Sequence, residues 1–588
     1  MTAKAKPPTK LKSNKLSGAE IIYRCLELEG VEFIFGYPGA ILLTLLDLFL
    51  KRSKLKHILT RHEQCAAHMA EGYARASGKV GVCLTTSGPG ATNLITGITD
   101  AYMDSIPIVC LTGQVATSMV GNDAFQEADI VGMTRTITKH NYLIKDIEDL
   151  ASSIREAFHI ARTGRPGPVL IDLPKDIILG ETNFTVPGEV DIRGYKPRTK
   201  GHARQIQRVA EAIEEAKEPI LYVGGGVIHA DANKEVMKLA ETADLPVTWT
   251  LLGSSSFPSS HELSLGMLGM HGTAYANKAV DECDLLIAVG ARFDDRVTGK
   301  VSEFAQNAKI VHIDIDPTAI GKNVPVDIPV VGDARLVLHE INKLIKPQKR
   351  TLWIKRIERL KRDFPLTFKA ADGGPIKPQE AIVALSEEVG DKAIYTTEVG
   401  QHQMWAAQYL QVSFPRQFIS SGGLGTMGFG FPAAIGAALA RPEKLAIDIA
   451  GDGSFQMVLQ ELATAVQYQI PVKVFILNNY GLGMVRQWQD LFMDRRFSEV
   501  SMEVGPDYVQ LAAAYGAKGL HIEDRKDLRP AIQEMIKTPG PFILDVTVDP
   551  DELVFPMVPA GGANRDMILE DQRKKKPLKG KLSALPDN

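Results

Sequence analysis

Two short apolar runs, Leu445 to Ala450 and Val472 to Leu477, flank a segment, Phe455 to Tyr468, whose apolar residues recur at helical spacing. Runs of that length read as buried strands and the intervening period as a helix, so the unit is strand, helix, strand. Parallel strands joined by a right-handed crossover put both carboxyl ends at one sheet edge, the edge where open α/β sheets bind ligands. Gly451-Asp452-Gly453 leaves the first run and Asn478-Asn479 closes the second, so Asp452 and Asn479 are expected to converge. A carboxylate and an amide oxygen suit Mg²⁺, which takes few protein ligands and completes its octahedron with phosphate oxygens and water. Gly453 and the helix start behind it offer backbone N–H groups and a positive dipole end to a diphosphate. The pattern predicts a Mg²⁺-diphosphate site.

The same alternation of apolar strand and amphipathic helix recurs along the chain. At 588 residues there is room for about three or four domains, and three α/β blocks emerge. The first has strands expected at Val31–Phe35, Val80–Thr85, Ile108–Thr112 and Val169–Asp172. A joint from Pro187 to His202, interrupted by Gly188, Gly194, Pro197 and Gly201, precedes a second block. That block opens with a helix over Ala203–Ala216, followed by strands at Pro219–Val223, Pro246–Thr250, Asp284–Val289 and Ile310–Ile315. A charged helix, Trp353–Arg362, and Gly373-Gly374-Pro375 mark a second joint. The third block adds strands at Ala393–Thr396 and Phe542–Val548 to the opening pair. The expected fold class is therefore α/β, three consecutive doubly wound parallel-sheet domains at 1–188, 189–372 and 373–588, the last with an irregular tail.

Composition removes several function classes. A formal net charge of −3 gives no basic field for nucleic acid or an anionic membrane, and the Arg573–Lys576 tract reads as solvated tail. The five cysteines are odd in number and scattered, which argues against a disulfide framework or zinc site and fits a reducing compartment. No apolar stretch approaches the ~20 residues of a membrane span. The first sixteen residues are basic but lack an apolar core, so they read as a tail rather than a signal peptide.

Other segments carry chemistry. Arg61-His62-Glu63 lies between a strand end and an Ala-rich helix, and the loops Gly36-Tyr37-Pro38-Gly39 and Ser87-Gly88-Pro89-Gly90 allow close backbone approach to a ligand. With the Gly-Asp-Gly to Asn-Asn unit, these resemble the thiamine diphosphate (ThDP) enzymes. A closer likeness runs through Gly113-Gln114-Val115, Asp123-Ala124-Phe125-Gln126-Glu127, Gly164-Arg165-Pro166-Gly167-Pro168 and Pro174-Lys175-Asp176. It continues in Arg292-Phe293-Asp294-Asp295-Arg296, Glu398-Val399-Gly400-Gln401-His402, Gly483-Met484-Val485-Arg486-Gln487-Trp488 and Met557-Val558-Pro559. In order and over nearly the whole chain, these motifs resemble the acetohydroxyacid synthase (acetolactate synthase) large catalytic subunits.

The resemblance implies the following roles. Glu63 hydrogen-bonds the cofactor's aminopyrimidine and promotes loss of the thiazolium C2 proton. Gly36, Val399, Gly400, Gln401, His402, Gly425, Met427, Gly453, Ser454 and Met484 surround ThDP, with Met427 as the apolar wedge that bends it. Asp452, Asn479 and the backbone carbonyl of Gly481 hold Mg²⁺. Phe125, Gln126 and Lys139 face the reacting centre, while Arg296, Trp488, Met484 and Lys175 receive the keto acids. FAD is expected against Arg165, Thr250, Leu251, Met267, Gly269, His271, Gly290, Arg292, Asp294, Val297, Asp314, Ile315 and Asp333. Gly224-Gly225-Gly226 also follows a strand there, although its spacing is not that of a dinucleotide fingerprint.

By the same resemblance, pyruvate is decarboxylated and the resulting hydroxyethyl carbanion condenses with a second keto acid. Pyruvate as acceptor gives 2-acetolactate, toward valine and leucine; 2-oxobutyrate gives 2-aceto-2-hydroxybutyrate, toward isoleucine. Other FAD- and ThDP-containing enzymes, such as pyruvate oxidase or glyoxylate carboligase, stay open, as does a non-catalytic binding paralogue; Glu63 weighs against the carboligase. The family implies a homodimer or homotetramer with active sites between subunits, a small regulatory subunit, and a bacterial cytoplasmic or alternatively plastid-stromal location.

Overall fold

Each block is organised around a six-stranded sheet in which every pairing is parallel. The computed structural model describes residues 15–370 and 373–570. Residues 1–14 of the basic amino-terminal stretch and the Arg573–Lys576 tract lie outside them.

The first sheet runs Lys56–Leu59, Phe33–Tyr37, Gly81–Thr85, Ile108–Gln114, Val169–Pro174, His140–Leu143. In chain order that is second, first, third, fourth, sixth, fifth. The third sheet, Phe418–Ser420, Ala393–Thr397, Leu445–Gly451, Lys473–Asn478, Phe542–Thr547, Lys518–Ile522, repeats this order. The central sheet differs, running Ser264–Met267, Val247–Trp249, Pro219–Val223, Leu285–Val289, Lys309–Asp314, Ile328–Val331. Its order, third, second, first, fourth, fifth, sixth, is that of dinucleotide-binding doubly wound sheets, whose ligand crevice lies where the order reverses.

All twelve strands expected from apolar runs are interior strands of these three sheets, and the six edge strands of the sheets gave no such run; Lys15–Ser17 and Glu181–Asn183, also unannounced, form a separate two-stranded antiparallel sheet. Interior strands of a parallel sheet are covered on both faces and read as continuous apolar runs. Edge strands such as Lys56–Leu59 and His140–Leu143 are short and carry polar residues, a common protection against edge-to-edge pairing.

The first and third sheets meet through helices Glu63–Ser77 and Gly430–Ala440, whose buried residues share one core with Phe431 and Phe455. Two glycines let these helices touch backbone to backbone: a Cβ on Gly72 would lie 2.1 Å from the Ala433 carbonyl oxygen, and one on Gly436 2.0 Å from that of Met69. The helix expected over Phe455–Tyr468 is broken into Asp452–Phe455, a 3-10 turn at Leu459–Glu461 and Leu462–Gln467. Val458, at φ −137° and ψ 10°, interrupts the helical path, and the break lets the Glu461 carboxylate accept from the N–H groups of Arg61 and His62 at 2.9 and 3.0 Å.

Candidate active site

Asp452 follows directly from strand Leu445–Gly451, and Asn479 from the adjacent Lys473–Asn478, so the crossover places them at the same carboxyl edge. Asp452 is only 3% exposed; the backbone N–H groups of Asn479 and Gly481 face its carboxylate, yet neither oxygen is closed off by a hydrogen bond of good geometry, and burial pushes its carboxyl up to about 7. An orphaned buried carboxylate is costly, and such a group is what a hard cation would satisfy. Its backbone is fixed instead, its carbonyl accepting from Tyr508 Oη at 2.9 Å and Gln456 Nε2 at 3.1 Å. Asn479 Nδ2 donates to Gln401 Oε1 at 3.1 Å, which turns the amide nitrogen away and leaves Oδ1 free to act as a ligand. Gln401 Nε2 in turn donates to Gln487 Oε1 at 2.9 Å. Gly481 lies beside Ser501 in an isolated bridge, and Ser454 Oγ donates to the Gly451 carbonyl at 3.3 Å. His402 is buried with Nε2 unpartnered, and its Nδ1 occupies the space, 2.7 Å away, where a Cβ on Gly451 would sit. Desolvation lowers that imidazole to about 3, so it is neutral.

A cavity of about 1140 Å³ begins at the central sheet's carboxyl edge and extends to the third sheet's loops. Its central part is lined by residues that follow successive strands: Gly225 and Gly226, Thr250 and Leu251, Gly290, Asp314 and Ile315, then Asp333. Arg165, Met267, His271, Arg292, Asp294 and Val297 complete this part, while Gly224 and Gly269, also expected there, are not part of its lining. The glycine run has a steric reason, since a Cβ on Gly226 would lie 2.6 Å from Gly290 Cα. Arg165 is held by Ser105 Oγ at 2.8 Å, and Arg292 by Asp294 at 2.7 Å. Asp314 accepts from Asp316 N at 2.8 Å, and burial raises its carboxyl to about 6. His271, facing the Pro556 carbonyl at 3.4 Å, is lowered to about 4 by burial. At the far end the cavity is walled by Val399, Gly400, Gly425, Met427, Met484, Arg296 and Trp488, whose indole packs edge-on against Phe492.

The first sheet's candidates stand apart from this cavity. Glu63 opens helix Glu63–Ser77, where a carboxylate complements the dipole, and Asn93 Nδ2 donates to it at 2.9 Å. Gly36 lies within strand Phe33–Tyr37, against the Leu84 carbonyl. Phe125 is 88% exposed, and Gln126, at φ +59°, packs its backbone over Gly88 of the Ser87–Gly90 loop. Lys175 is exposed at the start of helix Lys175–Leu179. Lys139 turns inward: its ammonium donates to the carbonyls of Ile160 and Thr163 and to Tyr195 Oη, and burial lowers it to about 8. The single chain thus joins the central sheet's crevice to Met427, Met484 and Trp488, and leaves Glu63, Phe125 and Gln126 outside that cavity.

Several residues shape the site in ways the sequence reading did not assign to them. Glu398 accepts from Gly428 N at 2.6 Å and Phe431 N at 3.0 Å. Leu482 lies where a Cβ on Gly453 would be, at 2.6 Å. Asp104, from the first sheet's helix Ile95–Asp104, forms part of the cavity wall. Glu398 acts through backbone N–H groups, Leu482 through its shape and Asp104 across hundreds of residues, none of which a spacing motif encodes.

Three descriptions of the thiamine pyrophosphate enzymes match in order: the N-terminal TPP binding domain over residues 16–133, the central domain over 206–341 and the C-terminal TPP binding domain over 398–546. The chain is 51% identical over 565 residues to a probable acetolactate synthase large subunit of Methanocaldococcus jannaschii, covering 94% of this chain and 95% of that protein. It is 48% identical to an acetolactate synthase of Mycobacterium leprae (94% and 90% covered) and 48% identical to an acetolactate synthase large subunit of Cyanidium caldarium (95% and 98% covered). With two TPP binding domains flanking a central domain and this identity over nearly its full length, the chain belongs to the acetolactate synthase large-subunit family of thiamine pyrophosphate enzymes.

Proposed function

We propose that the chain joins two 2-keto acids: pyruvate loses CO₂, and its remaining two-carbon unit is added to the keto carbon of pyruvate or 2-oxobutyrate. The products are 2-acetolactate and 2-aceto-2-hydroxybutyrate, the first common step of branched-chain amino acid biosynthesis. The observation that carries the reading is the orphaned Asp452 carboxylate, set beside Asn479 at the sheet edge next to the wall built by Val399, Gly400 and Met427.

In this reading Asp452, Asn479 Oδ1 and the Gly481 carbonyl hold Mg²⁺, while Gly453, Ser454, Gln401 and His402 surround the diphosphate. ThDP, when bound, supplies the electron sink for the electrons left by departing CO₂. Met427 and Met484 present apolar surface that excludes water and fixes the cofactor's shape. The Arg296 guanidinium receives the acceptor's carboxylate, Trp488 packs its alkyl group, and exposed Lys175 attracts the incoming anion. The central crevice, from Gly225 and Gly226 to Asp314 and Asp333, suits FAD; its role is structural, because the net reaction transfers no electrons.

Glu63 completes the site from a second copy of the chain, its carboxylate holding a proton against the aminopyrimidine. That arrangement accounts for its position outside the chain's own cavity and for the exposure of Phe125, which with Gln126 covers the reacting centre. Lys139, committed to three oxygens, acts by fixing the wall near Arg165. The functional unit is a homodimer or homotetramer, and relatives named as large subunits point to a small regulatory partner. The domain limits 1–188, 189–372 and 373–588 accompany this assignment. The five free, buried cysteines suit a reducing compartment, taken here as the bacterial cytoplasm; among the described residues no helix is long and apolar enough to cross a membrane.

The test is Glu63→Gln in the full chain. Folding and Mg²⁺-ThDP binding are expected to persist while acetolactate formation falls by about 10²-fold or more, the range of a positioned acid–base group. Turnover near the wild-type rate would refute the mechanism.

A further inference from the structure

Gly425 and Met427 lie on a segment that leaves strand Phe418–Ser420 and enters helix Gly430–Ala440 without regular structure of its own. Such a segment keeps its course only if its backbone groups find partners. Its end is tied within the third unit, where Gly428 N and Phe431 N donate to Glu398. Its start is tied to a different unit. Gly422 N and Gly423 N donate to the two oxygens of Asp104 at 3.0 and 2.6 Å. Ser421 Oγ and Thr426 Oγ1 donate to Asp100 Oδ1, the latter at 3.2 Å, and Thr426 N donates back to Ser421 Oγ at 2.9 Å. Asp100 and Asp104 both belong to helix Ile95–Asp104 and are buried.

Arg75, on helix Glu63–Ser77, stands behind them. Its guanidinium donates to Asp104 at 2.7 Å, to Glu71 at 3.3 Å and to the Ser420 carbonyl at 3.0 Å. The link continues into the central unit: Arg416 donates to the Arg75 carbonyl at 3.1 Å and to the Ile228 carbonyl at 3.0 Å. The fit is close, since a Cβ on Gly423 would lie 2.6 Å from Asp104 Oδ1. Asp104 and the stretch Ser421–Gly425 form cavity wall between the Gly225-Gly226 crevice and Met427. Burial raises Glu71 to about 8 and Asp100 well above the usual carboxylate range, and lowers His68 to about 4. Near neutral pH the Glu71 carboxyl therefore holds its proton and the His68 imidazole is uncharged, which limits the charge buried behind the segment.

We propose that Asp104 and Asp100, backed by Arg75, are positioning residues that hold the Ser420–Met427 segment in register, and that they thereby set ThDP affinity and turnover from the first unit. This rests on the reading that Gly425 and Met427 contact ThDP. None of the three touches reacting atoms; Asp104 and Arg75 act through the segment's backbone, and Asp100 through the Ser421 and Thr426 hydroxyls.

The test compares Asp104→Asn and Ser421→Ala with the wild-type holoenzyme. The readouts are the half-activating ThDP concentration, kcat, the pyruvate KM and the melting temperature. Asp104→Asn replaces a charge-assisted acceptor by an amide that can satisfy only one of the two backbone donors, so the half-activating ThDP concentration is expected to rise roughly tenfold or more. Its kcat should fall at saturating cofactor, with the pyruvate KM nearly unchanged. Ser421→Ala, a milder change, should move the same two quantities in the same direction by about threefold, and it decides the matter alone if Asp104→Asn does not fold. Wild-type ThDP dependence and kcat in the folded variants would overturn the proposal, as would a change confined to melting temperature. A wild-type chain that binds no ThDP would overturn the functional reading and this proposal with it, an outcome distinct from variants that match an active wild type.

Discussion

Asp452→Asn should shift stability in opposite directions with and without ligand. In the ligand-free chain the carboxylate is buried and neither oxygen is closed off by a hydrogen bond of good geometry. Leaving a buried polar group unsatisfied costs about 1–3 kcal/mol, and more when it is charged. A neutral amide of the same shape removes the excess, so the ligand-free variant is expected to be more stable than wild type by ~1 kcal/mol or more. With Mg²⁺ and ThDP the sign reverses. Changes one shell away from a metal lower its affinity about 10–100-fold, so replacing a direct ligand should cost at least about 100-fold, or ~2.7 kcal/mol. At a cofactor concentration of about 100 Kd the wild type gains ~2.7 kcal/mol of stability; a variant with 100-fold weaker affinity gains only ~0.4 kcal/mol. Thermal melting of both proteins, without ligand and with Mg²⁺ and ThDP together, reads the two effects in one experiment. A variant that melts below wild type without ligand, yet keeps the full cofactor-induced rise, would refute Asp452 as a cation ligand.

Gly436→Ala places a Cβ 2.0 Å from the Met69 carbonyl oxygen; overpacking of this kind costs ~1–3 kcal/mol, so the melting temperature should fall, and an unchanged value would contradict the close helix crossing. Glu71, raised to about 8 by burial, holds its proton in the folded state where the unfolded chain has lost it. Its contribution is therefore fully present at low pH and declines as pH rises toward 8. Between pH 6.5 and 8.5 His68 is neutral in the folded state, and its titration in the unfolded chain is common to wild type and variant, so Glu71→Gln should flatten the loss of stability by about 2 kcal/mol; equal slopes in denaturant titrations across that window would contradict it. Trp488→Leu enlarges the end of the cavity proposed to take the acceptor. With pyruvate and 2-oxobutyrate competing, it should lower the proportion of 2-aceto-2-hydroxybutyrate about tenfold, the scale of losing contacts to one methylene; an unchanged product ratio would remove Trp488 from the specificity argument.

What the sequence revealed follows from burial. Leu285–Val289 lies inside a parallel sheet and is apolar along its length, as is the Val474–Leu477 stretch of Lys473–Asn478, so they announce themselves. Edge strands such as Phe418–Ser420 and Lys518–Ile522 are too short or too polar to do so. The Asp452 and Asn479 convergence was legible because chain connectivity alone puts neighbouring strand ends together. Asp104 was not, because it reaches Gly422 and Gly423 across more than 300 residues of chain through backbone N–H groups that any residue possesses. The inward turn of Lys139 was hidden for a related reason: its partners are the carbonyls of Ile160 and Thr163 and a tyrosine hydroxyl, none part of its motif. The break at Val458 ran against helical spacing because Glu461 serves the N–H groups of Arg61 and His62, just ahead of helix Glu63–Ser77 of another sheet.

The most direct test of the account is the stoichiometry of pyruvate consumption by the purified chain supplied with Mg²⁺, ThDP and FAD. The account predicts one CO₂ and one 2-acetolactate for every two pyruvate, with no net flavin reduction and no activity when ThDP is withheld. Acetate accompanied by reduced flavin, or pyruvate left untouched by a chain that has bound ThDP, would contradict it.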